Sequence, residues 1–162
     1  MFSAGRKPAG ALVQNKASFD VTYQPGVIEV VGYQGGKETG RTRLTTTNAP
    51  ARLGISADRA SIQAGCGDLA YVTIEILDQN GVLVRHGEPR LNVSVSGCAE
   101  LLAIGSGDPI SEEMYVGSHH KAYQGRLLAI LRSKAEAGPA TITVHADGLP
   151  EASLELQTIS PA

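Results

Sequence analysis

The chain has 162 residues, of which 42% are hydrophobic and 19% charged, and its net charge is −2 at pH 7. This balance excludes a disordered chain and a strongly basic partner for nucleic acid or anionic lipid, and no apolar run approaches the ~20 residues that cross a bilayer. Nineteen glycines and eight prolines point to many turns, whereas aromatics are scarce, with five Tyr, two Phe and no Trp.

In chain order, Arg6 and Lys7 are followed by no apolar stretch, so no signal peptide is expected. From there the dominant period is two. Alternation of apolar and polar residues runs through Phe19–Tyr23, Val27–Tyr33, Leu69–Leu77, Leu91–Val95, Ala140–Ala146 and Ser153–Ile159. These runs are short and rich in β-branched residues, which predicts half-buried strands. Turn signals separate them at Gln24-Pro25-Gly26, Gln34-Gly35-Gly36, Asp78-Gln79-Asn80-Gly81, Ala137-Gly138-Pro139 and Asp147-Gly148-Leu149-Pro150. Asn80-Gly81 reads as a hairpin pair, because both residues tolerate positive φ. Many short strands between frequent turns predict an all-β sandwich.

One segment is ambiguous. Arg126–Glu136 is full of helix formers. A preceding glycine, the following Gly138-Pro139 and the strand-like neighbours argue for a strand, so the residues alone leave both states open. A boundary is expected in the polar stretch Thr45–Pro50, where proline fixes the entry to the next element. Beyond it lie about 110 residues, the size of one Ig-like sandwich. The residues before it leave room for about four strands, too few to close a sandwich of their own.

Five stretches carry a resemblance in order. They are Tyr23–Lys37 (YQPGVIEVVGYQGGK), Asn48–Leu53 (NAPARL), Asp58–Val72 (DRASIQAGCGDLAYV), Gly105–Glu112 (GSGDPISE) and Tyr123–Ile130 (YQGRLLAI). Together they resemble the C-terminal region of bacterial glycoside hydrolase family 2 enzymes of the β-galactosidase type. The resemblance implies an all-β fold, with an Ig-like β-sandwich over residues 48–162. It implies that residues 1–47 are the truncated end of a neighbouring small β-domain. Phe2–Gly10 resembles a strand and turn of that domain entered midway, with Ala4 where the family has asparagine, so Met1 is not expected to be the natural start. The resemblance also favours a strand over Arg126–Arg132. The native N-terminus being expected to be absent, cytoplasmic and exported locations in a bacterium stay equally open.

The same resemblance implies a parent that hydrolyses β-glycosides with two carboxylates about 5 Å apart. In the family these stand on a catalytic barrel, and such a barrel needs about 250 residues. No catalytic residue can therefore be carried over, and no cofactor or metal is expected. Asp108, Glu112 and Glu113 form the densest acidic cluster. Such oxygen ligands suit a hard cation, but Gly107-Asp108-Pro109 reads more simply as a turn in which Asp108 caps backbone N–H groups. His119 and His120 invite a metal reading, yet neighbours on a strand point to opposite faces, and both are read as solvated loop histidines. Ser106 and Ser111 belong to no nucleophile motif. Cys66 and Cys98 match no zinc spacing; they read as free thiols, with a disulfide as the alternative. Tyr23, Tyr33 and Tyr71 fall in strand patterns and read as core or corner residues. Tyr115 and Tyr123 remain as a platform on which a sugar ring could stack. The expected partners are the other domains of the parent, with a carbohydrate-binding module as the rival reading and a plain interaction module as a third. A homodimer through residues 1–47 is also expected, because that segment exposes a sheet edge. Nucleic acid and membrane are not expected partners.

Overall fold

The computed structural model describes residues 4–161. Two compact units divide the chain, Met1–Thr46 and Thr47–Ala162.

In the first unit a 3-10 turn at Ala11–Val13 precedes two antiparallel strands, β1 (Val27–Gln34) and β2 (Lys37–Thr45). Gly35 and Gly36 both take positive φ in the connecting turn, the conformation that matches the twist of a two-residue hairpin. The register pairs Ile28 with Leu44 and Glu29 with Arg43. One face of the ribbon is thus apolar at Ile28, Val30 and Leu44, all exposed. The opposite face carries a charge cluster, in which Arg41 holds Glu29 and Glu38.

Among the described residues this unit has two strands, not the four expected. Phe19–Tyr23 is not a strand. Alternation makes a surface that suits a sheet, but a strand needs a neighbouring ladder, and no strand pairs with these residues. They are held by side chains instead: the Lys7 ammonium lies 5.1 Å from the Phe19 ring centroid, and the Tyr23 hydroxyl lies 3.4 Å from Thr46 Oγ1. Of the strand and turn expected at Phe2–Gly10, Phe2 and Ser3 lie outside the described residues. Ala4–Gly10 carries no strand.

The second unit is a two-layer β-sandwich. Its strands are β3 (Pro50–Ala57), β4 (Ser61–Gln63), β5 (Leu69–Asp78), β6 (Arg90–Gly97), β7 (Ala99–Gly105), β8 (His119–Lys121), β9 (Arg126–Ser133), β10 (Gly138–Ala146) and β11 (Ala152–Ile159). One sheet has the order β4-β11-β10-β6-β8 and the other β3-β5-β9-β7. All pairings are antiparallel except β4 with β11.

The core follows from the period of two. Ala70, Val72, Ile74 and Ile76 on β5 and Leu127, Ala129 and Leu131 on β9 face Ile142 and Val144 on β10, Leu91 and Val93 on β6, and Leu156 on β11. Each fully buried Leu or Ile side chain contributes about 1.5–3 kcal/mol. Arg126–Ser133 is a strand whose buried residues alternate with exposed or half-buried ones. Leu128 and Ile130 on its outer face are apolar as well, which is why the run resembles a helix in composition.

The hairpin before β9 is the tightest in the sandwich. Tyr123 and Arg126 exchange both backbone hydrogen bonds at 3.0 Å, and the two residues between them, Gln124 and Gly125, have φ of 47° and 77°. A Cβ on Gly125 would stand 2.1 Å from the Val84 carbonyl oxygen, so only glycine fits. Asn80-Gly81 does not form such a turn. Gly81 has positive φ but Asn80 does not, and the Gly81 N–H donates to Asp78 O at 3.0 Å. Gln79 and Asn80 are therefore the central pair. The Asp78 carboxylate imposes this, because it accepts the Asn80 and Val82 N–H groups at 2.9 Å each.

Candidate functional site

Three features of the sandwich concentrate chemistry: the loop spanning residues 106–118, the edge strand β8 beneath it, and the outer face of the four-stranded sheet beside it.

The loop begins as the sequence suggests. Asp108 Oδ1 accepts the Ile110 N–H at 3.1 Å and its carbonyl accepts the Ser111 N–H at 3.4 Å. This is a local turn, and Asp108 is used up in holding it. Glu112 is exposed.

Glu113 is a different case, and its role is not evident from its place in an acidic run. Its Oε2 accepts the backbone N–H of Lys121 at 2.9 Å and its Oε1 accepts Arg90 Nη2 at 2.8 Å. Oε2 also lies 3.3 Å from His120 Nδ1. The Lys121 N–H, together with the positive charge offered by His120, Arg90 and Lys121, holds the carboxyl below the usual glutamate range, against the opposing effect of burial.

His120 overturns the reading of two solvated histidines. It lies on β8 and pairs in register with the core residue Leu91, so its ring points inward and is fully buried. His119, one residue earlier, points outward and is exposed. The two rings therefore diverge, as strand geometry requires. His120 Nδ1 lies 2.9 Å from the Lys121 carbonyl oxygen. Its two neighbours there, a carbonyl and a carboxylate, can only accept, so Nδ1 carries the proton. Nε2 is buried without a hydrogen-bond partner among the described residues.

Tyr115 covers this group. Its ring is nearly parallel to that of His120, 8° between planes with centroids 6.3 Å apart. Its backbone oxygen accepts the Ile104 N–H on β7 at 2.8 Å. A Cβ on Gly105 would stand 2.6 Å from the Tyr115 ring, so the absence of a side chain at Gly105 makes the seat for the ring.

Beyond that seat runs a groove of about 490 Å³ on the outer face of the four-stranded sheet, lined by Thr73, Ala103, Gly105, Tyr115, Leu128 and Ile130 among others. Its lining is mostly apolar, and the cross-strand pair Arg126–Glu75, with Nε 2.9 Å from Oε1, borders it. Tyr123 does not line this groove, so the structure does not bring Tyr115 and Tyr123 together there. Tyr23, Tyr33 and Tyr71 are exposed by 69%, 49% and 42%. They are surface residues, contrary to a core assignment, since the core is built almost wholly of aliphatic chains.

Elsewhere, Asp78 is a buried carboxylate at the end of the apolar row of β5. It accepts N–H groups from Asn48, Asn80 and Val82, and these bonds, Asn48 foremost, hold it well below the usual aspartate range. Cys66 and Cys98 are free thiols. Among the described residues no group of three or more His, Cys, Asp or Glu side chains is placed to hold a metal.

Comparison with known proteins points one way. A family model described as glycoside hydrolase family 2 C-terminal domain 5 matches residues 53–155, and a model of a domain of unknown function matches residues 2–40. Beta-galactosidase BoGH2A of Bacteroides ovatus is 29% identical over 136 residues, which cover 84% of this chain and 16% of that protein. The structure of a glycosyl hydrolase family 2 member from Bacteroides cellulosilyticus aligns over 96% of this chain and 20% of that one, with a TM-score of 0.93 at 29% identity. A beta-glycosidase from Bacteroides vulgatus aligns over 85% of this chain and 18% of that one, with a TM-score of 0.81 at 29% identity. The chain thus spans about a sixth to a fifth of the length of these relatives.

Proposed function

Since the chain belongs to the glycoside hydrolase family 2 C-terminal domain 5 family, we propose that its sandwich is a non-catalytic supporting domain of an enzyme that hydrolyses β-glycosides. Its work is to pack against the other domains of that enzyme. The observation that carries this reading is the exposed apolar surface. Ile110, Met114 and Val116 on the loop are 85%, 76% and 76% exposed, and Leu128 on the outer sheet face is exposed in the groove. Surface this apolar, concentrated on one loop and the sheet beside it, marks a contact region for protein. The mostly apolar lining of the groove favours a side chain of another domain over the polar hydroxyls of a sugar. Residues 1–47 are read, on the same basis, as part of a neighbouring small β-domain, whose remaining strands would cover the apolar face at Ile28, Val30 and Leu44.

Two measurements test the reading. The 162-residue chain, assayed alone with nitrophenyl galactosides and glucuronides, is expected to release no nitrophenol. Turnover that Asp108→Asn or Glu112→Gln abolished would overturn the non-catalytic assignment. In the full-length enzyme, Met114→Asp with Leu128→Asp is expected to lower the melting temperature while leaving KM unchanged. An unchanged melting temperature would show that the surface meets nothing.

A further inference from the structure

The loop spanning residues 106–118 is fastened to both layers of the sandwich along its length, and at its end the Ser118 carbonyl accepts the Val93 N–H of β6 at 2.7 Å. On the five-stranded side, Glu113 bonds Arg90 of β6 and the Lys121 amide of β8. On the four-stranded side, Tyr115 bonds the Ile104 amide of β7 and seats its ring over Gly105. Between the two attachments lies His120, buried, with its Nε2 unpartnered. The first attachment is electrostatic and the second is made by packing and one backbone bond. They therefore respond differently to conditions.

We propose that residues 106–118 form an acid-released strap between the two sheets, with the Glu113 carboxylate as its latch. The groups facing Glu113 are Arg90 from β6, His120 and Lys121 from β8, and, on the loop itself, the Ser111 hydroxyl, which accepts the Glu113 N–H at 3.3 Å. β7 meets the strap through Gly105 and the Ile104 amide, neither of which titrates. Every charged group around the latch is thus a cation or a potential cation. Protonating Glu113 removes the one anion and leaves these groups facing one another. Protonation of Glu113 therefore favours opening. Opening lifts Tyr115 from Gly105, which removes one wall of the groove and exposes the His120 ring.

Native-state hydrogen exchange on the whole chain tests this from pH 7 to pH 3. The reporting amides are Lys121, bonded to Glu113, and Ile104, bonded to Tyr115; the Ile76 amide, bonded to Gly125 O at 2.9 Å, reports on the body of the sandwich. Protection factors of Lys121 and Ile104 are expected to fall together by up to about tenfold per pH unit once Glu113 begins to take a proton, while that of Ile76 holds. In Glu113→Gln the two amides should be weakly protected at every pH. In Arg90→Ala, an exposed substitution, the two amides should be less protected at pH 7 and the loss should level off at a higher pH. Unchanged protection of Lys121 and Ile104 down to pH 3 would overturn the proposal. So would their loss in step with Ile76, or the same pH dependence in Glu113→Gln.

Discussion

The side chain of Asp78 reaches back 30 residues to accept the backbone N–H of Asn48 at 3.0 Å. This bond ties the segment entering β3 to the far end of β5, and the same carboxylate holds the turn that follows β5. A buried acceptor shared by three backbone donors cannot be removed without leaving all three unsatisfied. Asp78→Ala is expected to lower the melting temperature by about 5–10 °C. Asp78→Asn, which keeps one acceptor oxygen, should lose less. Calorimetry of the two variants checks the order.

Acid stability follows from four carboxylates of the sandwich. Asp58 is held below its usual range first by the Tyr71 N–H, Asp68 by that of Gln63, Asp78 by that of Asn48 and Glu113 by that of Lys121. Their native pKa values are depressed, so the unfolded chain takes protons first as pH falls. The stabilisation is complete above the ordinary carboxylate range and drains away from about pH 4 downward, through the native values. Urea midpoints should be flat from pH 7 to about pH 5 and then fall steeply. A midpoint that rose on acidification would contradict this assignment.

At Gly125, positive φ and the Val84 carbonyl act together. Gly125→Ala must strain the backbone and push β9 away from the segment before β6. The expected cost is about 3 kcal/mol or more. Gly105→Ala meets only the Tyr115 ring, which can swing aside, and should cost less while making Tyr115 more accessible to nitration. Chemical denaturation and mapping of modified tyrosines separate the two cases.

The thiols differ in access. Cys66 is exposed, whereas Cys98 is half-buried, with its sulfur against Gly138. Titration with a thiol reagent should show one fast and one slow reaction, and two in total without a reductant. A total of zero would mean that they pair, against the geometry.

Among the described residues the ribbon of β1 and β2 has a free edge on each side and an exposed apolar face. Self-association through that ribbon is the expected behaviour of the isolated chain at high concentration. Val30→Lys, which places a charge on the apolar face, should shift light scattering towards the monomer. A strict monomer in the unaltered chain would count against this expectation.

What could be read from the sequence was the part governed by period. Leu69–Leu77, Leu91–Val95, Ala140–Ala146 and Ser153–Ile159 alternate cleanly because one side of each strand meets the core and the other meets water. Where that asymmetry fails, so does the signal. β2 is exposed along its whole length, with Leu44 its one large apolar residue. β7 is interrupted by a bulge between Leu101 and Ala103, which puts its alternation out of phase. β4 and β8 are three residues long, too short to show a period. Phe19–Tyr23 has the alternation but no neighbour to pair with. At the loop, the turn made by Asp108 was legible because it is local. Glu113 and His120 were not, because their partners Arg90 and Leu91 come from another part of the chain. A histidine on an apolar face of a three-residue strand becomes visible only once the register is known.

The lone parallel pairing, β4 against β11, has a mechanical consequence. Ser61, Ile62 and Gln63 lie beside Gln157, Thr158 and Ile159, so an early and the final strand of the sandwich run side by side in the same direction. A load drawn through this unit enters near β3 and leaves through β11. Once β3 is freed from β5, the load falls on β4 and slides the two parallel strands along each other rather than peeling them apart from one end. Their ladder bonds must break together instead of in succession, and the Ile159 carbonyl adds one more by accepting the Ala64 N–H at 2.8 Å.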